Sequence, residues 1–451
     1  MQIITPPHES TLKILSKFLT PSPCTRLLHY VIQEPVEDDT LLYNLLTREL
    51  VLLSEEESRD LFSLDYLRKH WFTVPEGTKE REYADLVRWV LQNKQKKSKN
   101  ITGYTIFSTM DCNARCFYCF EKGRAKPVMT AETAEKTVRF IRDHCGGEKV
   151  KLSWFGGEPL FNPGVIDIIC QGLREKNIDF SSTMISNGYL FDQNTVTKAA
   201  TDWNLKRVQI TLDGTEKIYN RVKAYIYREG NPYRIVLENI GHLLDAGVSV
   251  SIRLNLDLYN AEDLLDLAQE IAEIFAGRNG LSVYAHHLFE GNRPMAQQHT
   301  GEEWDKRDAT MTRLNETLEK HGLLSTRGIS KKPKLNHCMA DSGTAVTILP
   351  DGHIGLCEHH SDSEFIGHLD SETFDQTMIQ SWKETTPPIP ECETCFYYPA
   401  CIRLKKCANG SMCFEQERRN KLRAAKREIV MEYRRWRNAE VEDADEAAEQ
   451  C

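Results

Sequence analysis

The chain has 451 residues, a length that predicts two to four domains. Its 40% hydrophobic and 27% charged residues are ordinary for a soluble globular protein, and no apolar run is long enough to cross a bilayer. The net charge of −9 comes partly from an acidic tail and argues against a nucleic-acid surface. Lys13 and Lys17 interrupt the short apolar stretch at the N-terminus, so it does not resemble a signal peptide. We expect a cytoplasmic protein with neither a membrane nor a nucleic acid as a partner.

Residues 1–90 predict a small module of helices and strands. TLLYNLLTRELVLLSEEE predicts two short strands around Thr47 and Arg48, followed by a helix. Ser54 and Glu57 have the spacing of a capping box, which marks the start of that helix. LDYLRKHWFTVPEG predicts a second helix and a strand, and the polar stretch LQNKQKKSKN at 91–100 predicts a linker.

Between residue 101 and about residue 290, apolar strands alternate with amphipathic helices. The first strand is YTIFST and the sixth is LSVYAHHLF. Such alternation predicts an α/β fold with a parallel sheet. Six units are fewer than the eight of a complete barrel, so we expect an open partial (β/α)6 barrel over residues 101–325. In folds of this kind the chemistry gathers at the loops that follow the strands.

Fourteen cysteines in a chain without an export signal predict metal ligands rather than disulfides. Three of them form CNARCFYCF directly after the first strand, and seven lie between residues 338 and 413. The other four are interpreted as ordinary buried or loop residues: Cys24, Cys145, Cys170 and Cys451.

The spacing C-x3-C-x2-C lets one loop wrap three thiolates around a single inorganic centre: Cys112, Cys116 and Cys119. A [4Fe–4S] cluster takes four ligands, so three from the protein would leave one iron open to a cofactor or substrate. Zinc is the alternative, but structural zinc usually takes four protein ligands, and catalytic zinc usually takes His or carboxylate ligands. A fourth ligand is not evident near this motif.

This motif, with Tyr118 before its last cysteine and its place after the first strand, resembles the radical S-adenosylmethionine (radical SAM) superfamily. The resemblance covers residue 101 to about residue 290. It implies a [4Fe–4S] cluster on the three cysteines and S-adenosylmethionine (SAM) on its open iron. In this superfamily one electron cleaves SAM, and the resulting radical removes a hydrogen from the substrate. The resemblance also implies that Tyr118 packs beside the adenine.

The resemblance extends to WFGGEP at 154–159, after the second strand. In the family this motif meets the amino group of the methionine part, a role that falls here to Gly156, Gly157 and Glu158. Glycines expose backbone and a carboxylate can hold an ammonium, which suits that role. A tight glycine turn is the alternative.

Three further strand ends resemble positions at which the family contacts the cofactor or polarises the site. SNG after the third strand resembles the ribose-contacting position, and TLDG and RLNL lie at the fourth and fifth strands. Asp213 and Arg253 are the predicted catalytic side chains, although both, like Asn255, could equally be structural. The predicted contacts to SAM here are Ser186, Asn187 and Asn255.

The second group of cysteines resembles a SPASM domain, predicted over residues 326–415, which carries two auxiliary [4Fe–4S] clusters. A zinc ribbon is the alternative. Cys401 and Cys407 are farther apart than the family pattern has it, so the cluster that Cys407 and Cys413 each bind stays open. The resemblance implies one cluster on Cys392, Cys395, Cys401 and Cys413, and another on Cys338, Cys357 and Cys407.

Radical SAM enzymes with a SPASM domain mostly modify peptides. The N-terminal module resembles winged-helix elements that bind the leader of a precursor peptide as an added strand; a plain N-terminal extension is the alternative. The resemblance therefore implies a maturase of ribosomally made peptides. Its partners would be a precursor peptide with a leader and a reductant such as flavodoxin or ferredoxin. Residues 416–437 predict a closing helix, and residues 438–451 predict a disordered acidic tail.

The expected product is a cross-link, foremost a thioether from a cysteine to a residue carbon. A carbon–carbon cross-link and the formylglycine of a sulfatase maturase are alternatives within the same class, although that second reaction needs no separate leader module. A non-catalytic iron–sulfur electron carrier or a peptide-binding protein is the alternative from a different class.

Overall fold

The computed structural model describes residues 1–451 except 20–22, 96–99, 120, 228, 276, 289–299, 325–327, 360–363, 408–412, 414, 450 and 451, and describes side chains as far as residue 439. The chain divides into two compact units. The first comprises Met1–Lys97, Thr326–His337 and Thr385–Cys451, and the second comprises Ser98–Ser325 and Cys338–Glu384. Within the described ranges, no helix is both long enough and apolar enough to span a bilayer.

The first unit contains an antiparallel sheet. Among the described residues its strands are, in spatial order, β1 Gln2–Thr5, β5 Glu49–Leu53, β4 Asp39–Asn44 and β3 Val31–Val36. The elements of its N-terminal part are β1 Gln2–Thr5, α1 Glu9–Leu15, β2 Arg26–Leu27, β3 Val31–Val36, β4 Asp39–Asn44, β5 Glu49–Leu53, α2 Glu55–Arg59, α3 Asp65–Lys69, β6 Thr73–Val74 and α4 Glu80–Lys94.

The strands predicted on either side of Thr47 and Arg48, and the helix after them, are confirmed as β4, β5 and α2. The predicted capping box is present: Ser54 Oγ accepts from the Glu57 amide at 3.3 Å, and the Glu57 carboxylate accepts from the Ser54 amide at 2.9 Å. Helix α4 runs to Lys94, into the predicted linker, because Leu91 still belongs to its buried apolar stripe.

One apolar face of this sheet is covered by residues from distant parts of the chain. Leu41 and Leu50 lie in the same core as Tyr398, Ile429 and Tyr433. The sequence-based boundaries assign these segments to separate domains. The structure joins them in one core. A sheet with apolar side chains on both faces needs other elements of the protein to cover each face.

The second unit contains the parallel sheet. Its elements are β7 Gly103–Thr109, α5 Ala131–His144, β8 Val150–Gly156, α6 Pro163–Glu175, β9 Phe180–Ser186, α7 Gln193–Thr201, β10 Leu205–Leu212, α8 Glu216–Lys223, α9 Pro232–Asp245, β11 Ser249–Leu256, α10 Ala261–Ile274, β12 Leu281–His287, α11 Gly301–Lys320, α12 Met339–Ser342, β13 Ala345–Ile348, β14 His353–Gly355, β15 Gly367–His368 and α13 Gln376–Ser381.

The six predicted strands are confirmed as β7 to β12, and they pair in parallel in the order in which the chain forms them. The fold class is therefore α/β with a parallel-sheet core, as predicted. Strand β13 extends the sheet in parallel beside β7, and β14 and β15 follow as antiparallel strands. Because parallel strands end on one edge, the loops after β7 to β11 share that edge.

The two faces of the parallel sheet differ in polarity. On β11, Val250, Ile252 and Leu254 are buried, and they alternate with Ser251 and Arg253, which remain partly exposed. Strands buried by helices on both faces would be apolar throughout. We call the set Gln209, Ser251, Arg253, Asn255, Tyr284 and His286 the polar face.

The closing helix predicted over 416–437 is confirmed as part of α14, Glu415–Glu449. Its backbone continues as a helix through most of the segment for which the sequence predicted disorder. Alanine and glutamate, which recur in this segment, are among the strongest helix formers.

Candidate functional site

The first cysteine loop, residues 110–119, follows β7 at the carboxyl edge of the sheet. Two backbone hydrogen bonds hold it against the chain after β10: the Arg115 amide donates to the Lys223 carbonyl at 2.8 Å, and the Ile226 amide donates to the Asn113 carbonyl at 2.9 Å. A loop without regular structure is thus fixed against the chain at the end of α8 Glu216–Lys223.

The three thiols of this loop are partly buried and lie near one another. Burial, together with the charges of the Glu158 carboxylate and of the Cys116 and Cys119 thiols, raises the pKa of Cys112 to about 12. Burial likewise raises the pKa of Cys116 and of Cys119. A metal centre would compensate the thiolate charge that burial disfavours, so these residues fit a cationic cluster.

In the part of the chain that the structure describes, no three His, Cys, Asp or Glu side chains gather tightly enough to hold one metal ion. A [4Fe–4S] cluster takes its thiolates at different irons, so its ligands stand farther apart than those of a single ion.

The turn Gly156–Gly157–Glu158 lies directly on the backbone that enters the cysteine loop. The Gly157 amide donates to the Thr109 carbonyl at 3.0 Å, and the Glu158 amide donates to the Asp111 carbonyl at 2.9 Å. A Cβ on Gly157 would come within 2.3 Å of the Asp111 oxygen, and a Cβ on Gly156 would come within 2.1 Å of the Thr109 oxygen. Gly156 also has a φ of +121°, so both positions need glycine.

The Glu158 carboxylate joins the ends of β8 and β9. It is buried and accepts from Ser186 Oγ at 2.9 Å, from the Asn187 amide at 2.8 Å and from the Leu160 amide at 3.2 Å. Burial raises its pKa from 4.5 to about 7 although these donors oppose the shift. Both carboxylate oxygens are thus used within the protein, and the assignment of Glu158 to the cofactor's amino group stays a prediction.

Asn187 brings the SNG segment to the first cysteine. Its Nδ2 donates to Asn113 Oδ1 at 2.6 Å and lies 3.8 Å from Cys112 Sγ. Its carbonyl accepts from the hydroxyls of Tyr219 and Tyr225 at 3.4 Å and 3.3 Å. The structure therefore brings together the ends of β7, β8 and β9, as the sequence predicted.

Asp213 is the centre of a buried polar network. It accepts from the Tyr118 hydroxyl at 2.8 Å and from Asn255 Nδ2 at 3.0 Å, and it forms an ion pair of 3.0 Å with Lys223 Nζ. Burial alone would lower the pKa of Lys223, but Asp213, Tyr118 and Cys116 hold that pKa well above its usual range. Lys223 is therefore a charged group beside the cysteine loop.

Sequence reasoning missed two members of this network. Lys223 lies at the end of α8, a helix that the sequence analysis did not predict, although the spacing of the buried Tyr219 and Lys223 fits one face of a helix. Asn260 donates to the carbonyls of Asp213 and Asn255, both at 2.8 Å, and so ties the loops after β10 and β11 together.

Arg253 lies on the polar face of β11, two residues before Asn255 of the Asp213 network. Its Nη2 is 3.2 Å from His286 Nδ1 on the neighbouring strand. Desolvation by neighbouring atoms and the charge of Arg253 together lower the pKa of His286 to about 4, although part of the residue faces solvent. His286 is therefore neutral at pH 7, and sequence reasoning did not single it out.

In the first unit, four cysteines of the second group lie near one another. Burial raises the pKa of Cys395, and the thiols of Cys413 and Cys392 raise it further. Burial also raises the pKa of Cys401, to which Cys395 and Cys413 contribute. These are the four residues that the resemblance assigned to one auxiliary cluster, and their mutual proximity fits such a group.

The three cysteines that the resemblance assigned to the other auxiliary cluster are divided between the two units. Cys407 lies in the first unit, with its Sγ 3.8 Å from His337 Nε2. Cys338 and Cys357 lie in the second unit, where Cys338 precedes α12 and Cys357 Sγ accepts from the His359 amide at 3.4 Å. The assignment of these three residues to one cluster stays a prediction.

Comparison with known proteins identifies the domain that carries the first cysteine loop. Residues 106–271 match the family model described as Radical SAM superfamily. The GTP 3′,8-cyclase of Clostridium perfringens (strain SM101 / Type A) is 31% identical over 179 residues, which are 39% of this chain and 53% of that relative. The chain spans about half the length of this curated relative.

Solved structures show the same fold. Native anSMEcpe with bound AdoMet has a TM-score of 0.55 at 14% identity, covering 75% of this chain and 99% of that chain. Streptococcus suis SuiB bound to the precursor peptide SuiA has a TM-score of 0.52 at 13% identity, covering 84% of this chain and 94% of that chain.

The fold and the family match agree with the site geometry. Residues 106–271 of the chain therefore carry a radical SAM domain.

We expect Gly157→Ala to destabilise the site, because its Cβ would press on the Asp111 carbonyl that leads into Cys112. The free energy of unfolding should fall by about 1–3 kcal/mol, measured by urea unfolding, and the affinity for SAM should fall with it. Gly164→Ala is the matched control, because a Cβ there meets nothing within 4 Å. Equal stability and SAM affinity in the two variants would contradict the close packing of this turn.

We expect Glu158 to make stability depend on pH. Its folded pKa of about 7 lies above the unfolded value of 4.5, so its stabilising effect is full below pH 4.5 and is lost as the pH rises to 7. The loss is about 3 kcal/mol. Urea unfolding between pH 4.5 and 8 should show this fall relative to Glu158→Gln, which does not titrate; parallel curves for the two proteins would refute it.

Proposed function

We propose that the protein binds SAM at a [4Fe–4S] cluster held by Cys112, Cys116 and Cys119, and that it uses this centre to modify a peptide. The observation that carries the proposal is the meeting of the cysteine loop, the Gly156–Gly157 turn and Asn187 at the ends of β7, β8 and β9. It is supported by the family match of the same part of the chain.

When bound, the cluster and SAM supply a carbon radical that removes a hydrogen atom from the substrate. The side chains around this centre would orient the bound groups and shield them from solvent. The Gly156–Gly157 backbone packs directly on the chain that enters the cysteine loop, and Asn187 holds that loop through Asn113. Lys223 keeps its charge there because Asp213 compensates it.

The roles of Asp213 and Arg253 differ in this proposal. Asp213 is fully engaged by Tyr118, Lys223 and Asn255, which suits orienting the site rather than exchanging a proton. Arg253 and the neutral His286 lie on the polar face, where they would meet a substrate group.

A peptide is the proposed substrate. The fold is similar to that of SuiB, which has been solved with the precursor peptide SuiA. In the first unit, β3 forms one edge of the antiparallel sheet among the described strands. An extended leader could add to such an edge as a further strand. The modification is foremost a thioether cross-link, with a carbon–carbon link or formylglycine as alternatives.

Two auxiliary [4Fe–4S] clusters complete the proposal. One of them would be held by Cys392, Cys395, Cys401 and Cys413. Thiols of this set lie close enough for the charge of one to raise the pKa of another. The other would be held by Cys338, Cys357 and Cys407. A flavodoxin or ferredoxin would deliver the electron that the reaction needs.

A nucleotide substrate is the second candidate, because the curated relative is named GTP 3′,8-cyclase. That similarity covers 39% of this chain and 53% of the relative. The match to the Radical SAM superfamily model ends at residue 271, so the seven cysteines between 338 and 413 lie outside it. A peptide-modifying enzyme with auxiliary clusters accounts for these cysteines.

The test is SAM cleavage by the anaerobically reconstituted protein with dithionite. We expect 5′-deoxyadenosine from the wild type and none from Cys116→Ala, because a cluster without that thiolate loses a ligand. Cys170→Ala, which removes a buried thiol of α6, is the matched control and should retain both iron and turnover. Unchanged turnover in Cys116→Ala would refute the proposed site.

The same assay separates the two substrates. A synthetic peptide from a short reading frame next to the gene should change mass by a hydrogen loss that depends on SAM, whereas GTP should remain unchanged. Consumption of GTP with an unmodified peptide would favour the second candidate.

A further inference from the structure

Three polar side chains of α4 contact the second cysteine loop, residues 392–401. Arg81, Asp85 and Arg88 are spaced by four and three residues, so they lie on one face of the helix. The loop contains three cysteines of the proposed auxiliary cluster. Helix and loop are more than 300 residues apart in sequence, yet both belong to the first unit.

Arg88 satisfies several carbonyls of this loop with one guanidinium group. Its Nη2 donates to the carbonyls of Tyr398 at 2.9 Å, Pro399 at 3.3 Å and Cys401 at 3.1 Å. The guanidinium carbon also lies 5.6 Å from the centre of the Tyr398 ring. One of these carbonyls belongs to a proposed metal ligand, Cys401.

Tyr398 also anchors the loop on this helix. Its ring is buried and stacks with Tyr30 at a centroid distance of 6.4 Å. Its hydroxyl donates to Asp85 Oδ1 at 2.9 Å. At the edge of the contact, Arg81 forms an ion pair of 2.8 Å with Glu393, the residue after Cys392.

The loop depends on these contacts for its shape. Its regular structure amounts to two short 3-10 turns, Pro390–Cys392 and Tyr398–Ala400. Backbone carbonyls that leave water need partners. Arg88 provides one for Pro399 and for Cys401, and it provides a second for Tyr398, whose carbonyl also accepts from the Cys401 amide at 3.0 Å. Thiols that the loop already holds in place favour cluster binding, because otherwise part of the binding free energy is lost in ordering the ligands.

We propose that Asp85 and Arg88 are positioning residues for the metal site formed by Cys392, Cys395 and Cys401. The N-terminal module is thereby a structural part of the auxiliary site, in addition to any role in binding a leader. This inference rests on the proposed auxiliary cluster, but the shape of the loop can be tested without metal.

The first readout is cysteine alkylation in the metal-free protein, followed by mass spectrometry. In Arg88→Gln, Cys395 and Cys401 should be alkylated about tenfold faster or more than in the wild type, because the charged hydrogen bonds that close the loop are gone. Cys112 in the same sample reports on the second unit and should not change.

The second readout is iron loading. Arg88→Gln should lose about four irons per chain, the content of one [4Fe–4S] cluster, while the spectrum of the first cluster and SAM cleavage remain. Tyr398→Phe, which removes only the hydroxyl bonded to Asp85, should show a smaller change in the same direction and guards against misfolding of the first variant. Arg59→Gln, at an exposed ion pair of α2, is the matched control.

The outcomes distinguish the inference from the function on which it rests. Wild-type alkylation rates and iron content in both Arg88→Gln and Tyr398→Phe would overturn the inference. If Arg88→Gln is alkylated faster but the wild type binds only about four irons per chain, the positioning role is supported and the auxiliary cluster is refuted. Loss of iron from both cysteine groups would mean that Arg88 supports the whole fold, which would also overturn the inference.

Discussion

The site depends on one close approach between two backbones. The turn at Gly156 and Gly157 rests on the carbonyls of Thr109 and Asp111, at distances that leave no room for a Cβ. This contact fixes the first cysteine loop against β8, and Glu158 then fixes the same turn against Ser186 and Asn187 on β9. Three strand ends are thus held together by backbone and buried hydrogen bonds, so the loop needs no regular structure of its own. An enzyme that handles a radical benefits from such rigidity, because positioning decides which hydrogen is removed.

The sequence was sufficient for the parallel sheet because each strand carries its own local signal, an apolar run between polar helices. It was also sufficient for the grouping of Cys112, Gly157 and Asn187, because the ends of parallel strands share an edge. It was not sufficient for Lys223 and Asn260. Both act through bonds to Asp213 that join separate loops, and no local pattern encodes such partners. The role of Glu158 toward the cofactor stays a prediction, and the structure adds the hydrogen bonds that its oxygens accept within the protein.

Domain boundaries were the hardest feature to derive, because the first unit is assembled from three stretches of chain. The apolar faces of its sheet are evident in LLYNLLTRELVLL, but the residues that cover one face, such as Ile429 and Tyr433, lie nearly four hundred residues later. In the sequence, Arg81, Asp85 and Arg88 of α4 indicate only an ordinary solvent-exposed helix face. Its contacts with the loop of Cys401 depend on tertiary packing, and only the structure reveals them.

The central claim is that the thiols of Cys112, Cys116 and Cys119 hold a cluster to which SAM binds directly. The most direct measurement is the electron paramagnetic resonance spectrum of the anaerobically reconstituted, reduced protein with and without SAM, together with iron and zinc content. The account predicts about twelve irons per chain and a spectral change on adding SAM that is absent from Cys116→Ala. Bound zinc without iron, or a spectrum that SAM does not alter, would contradict it.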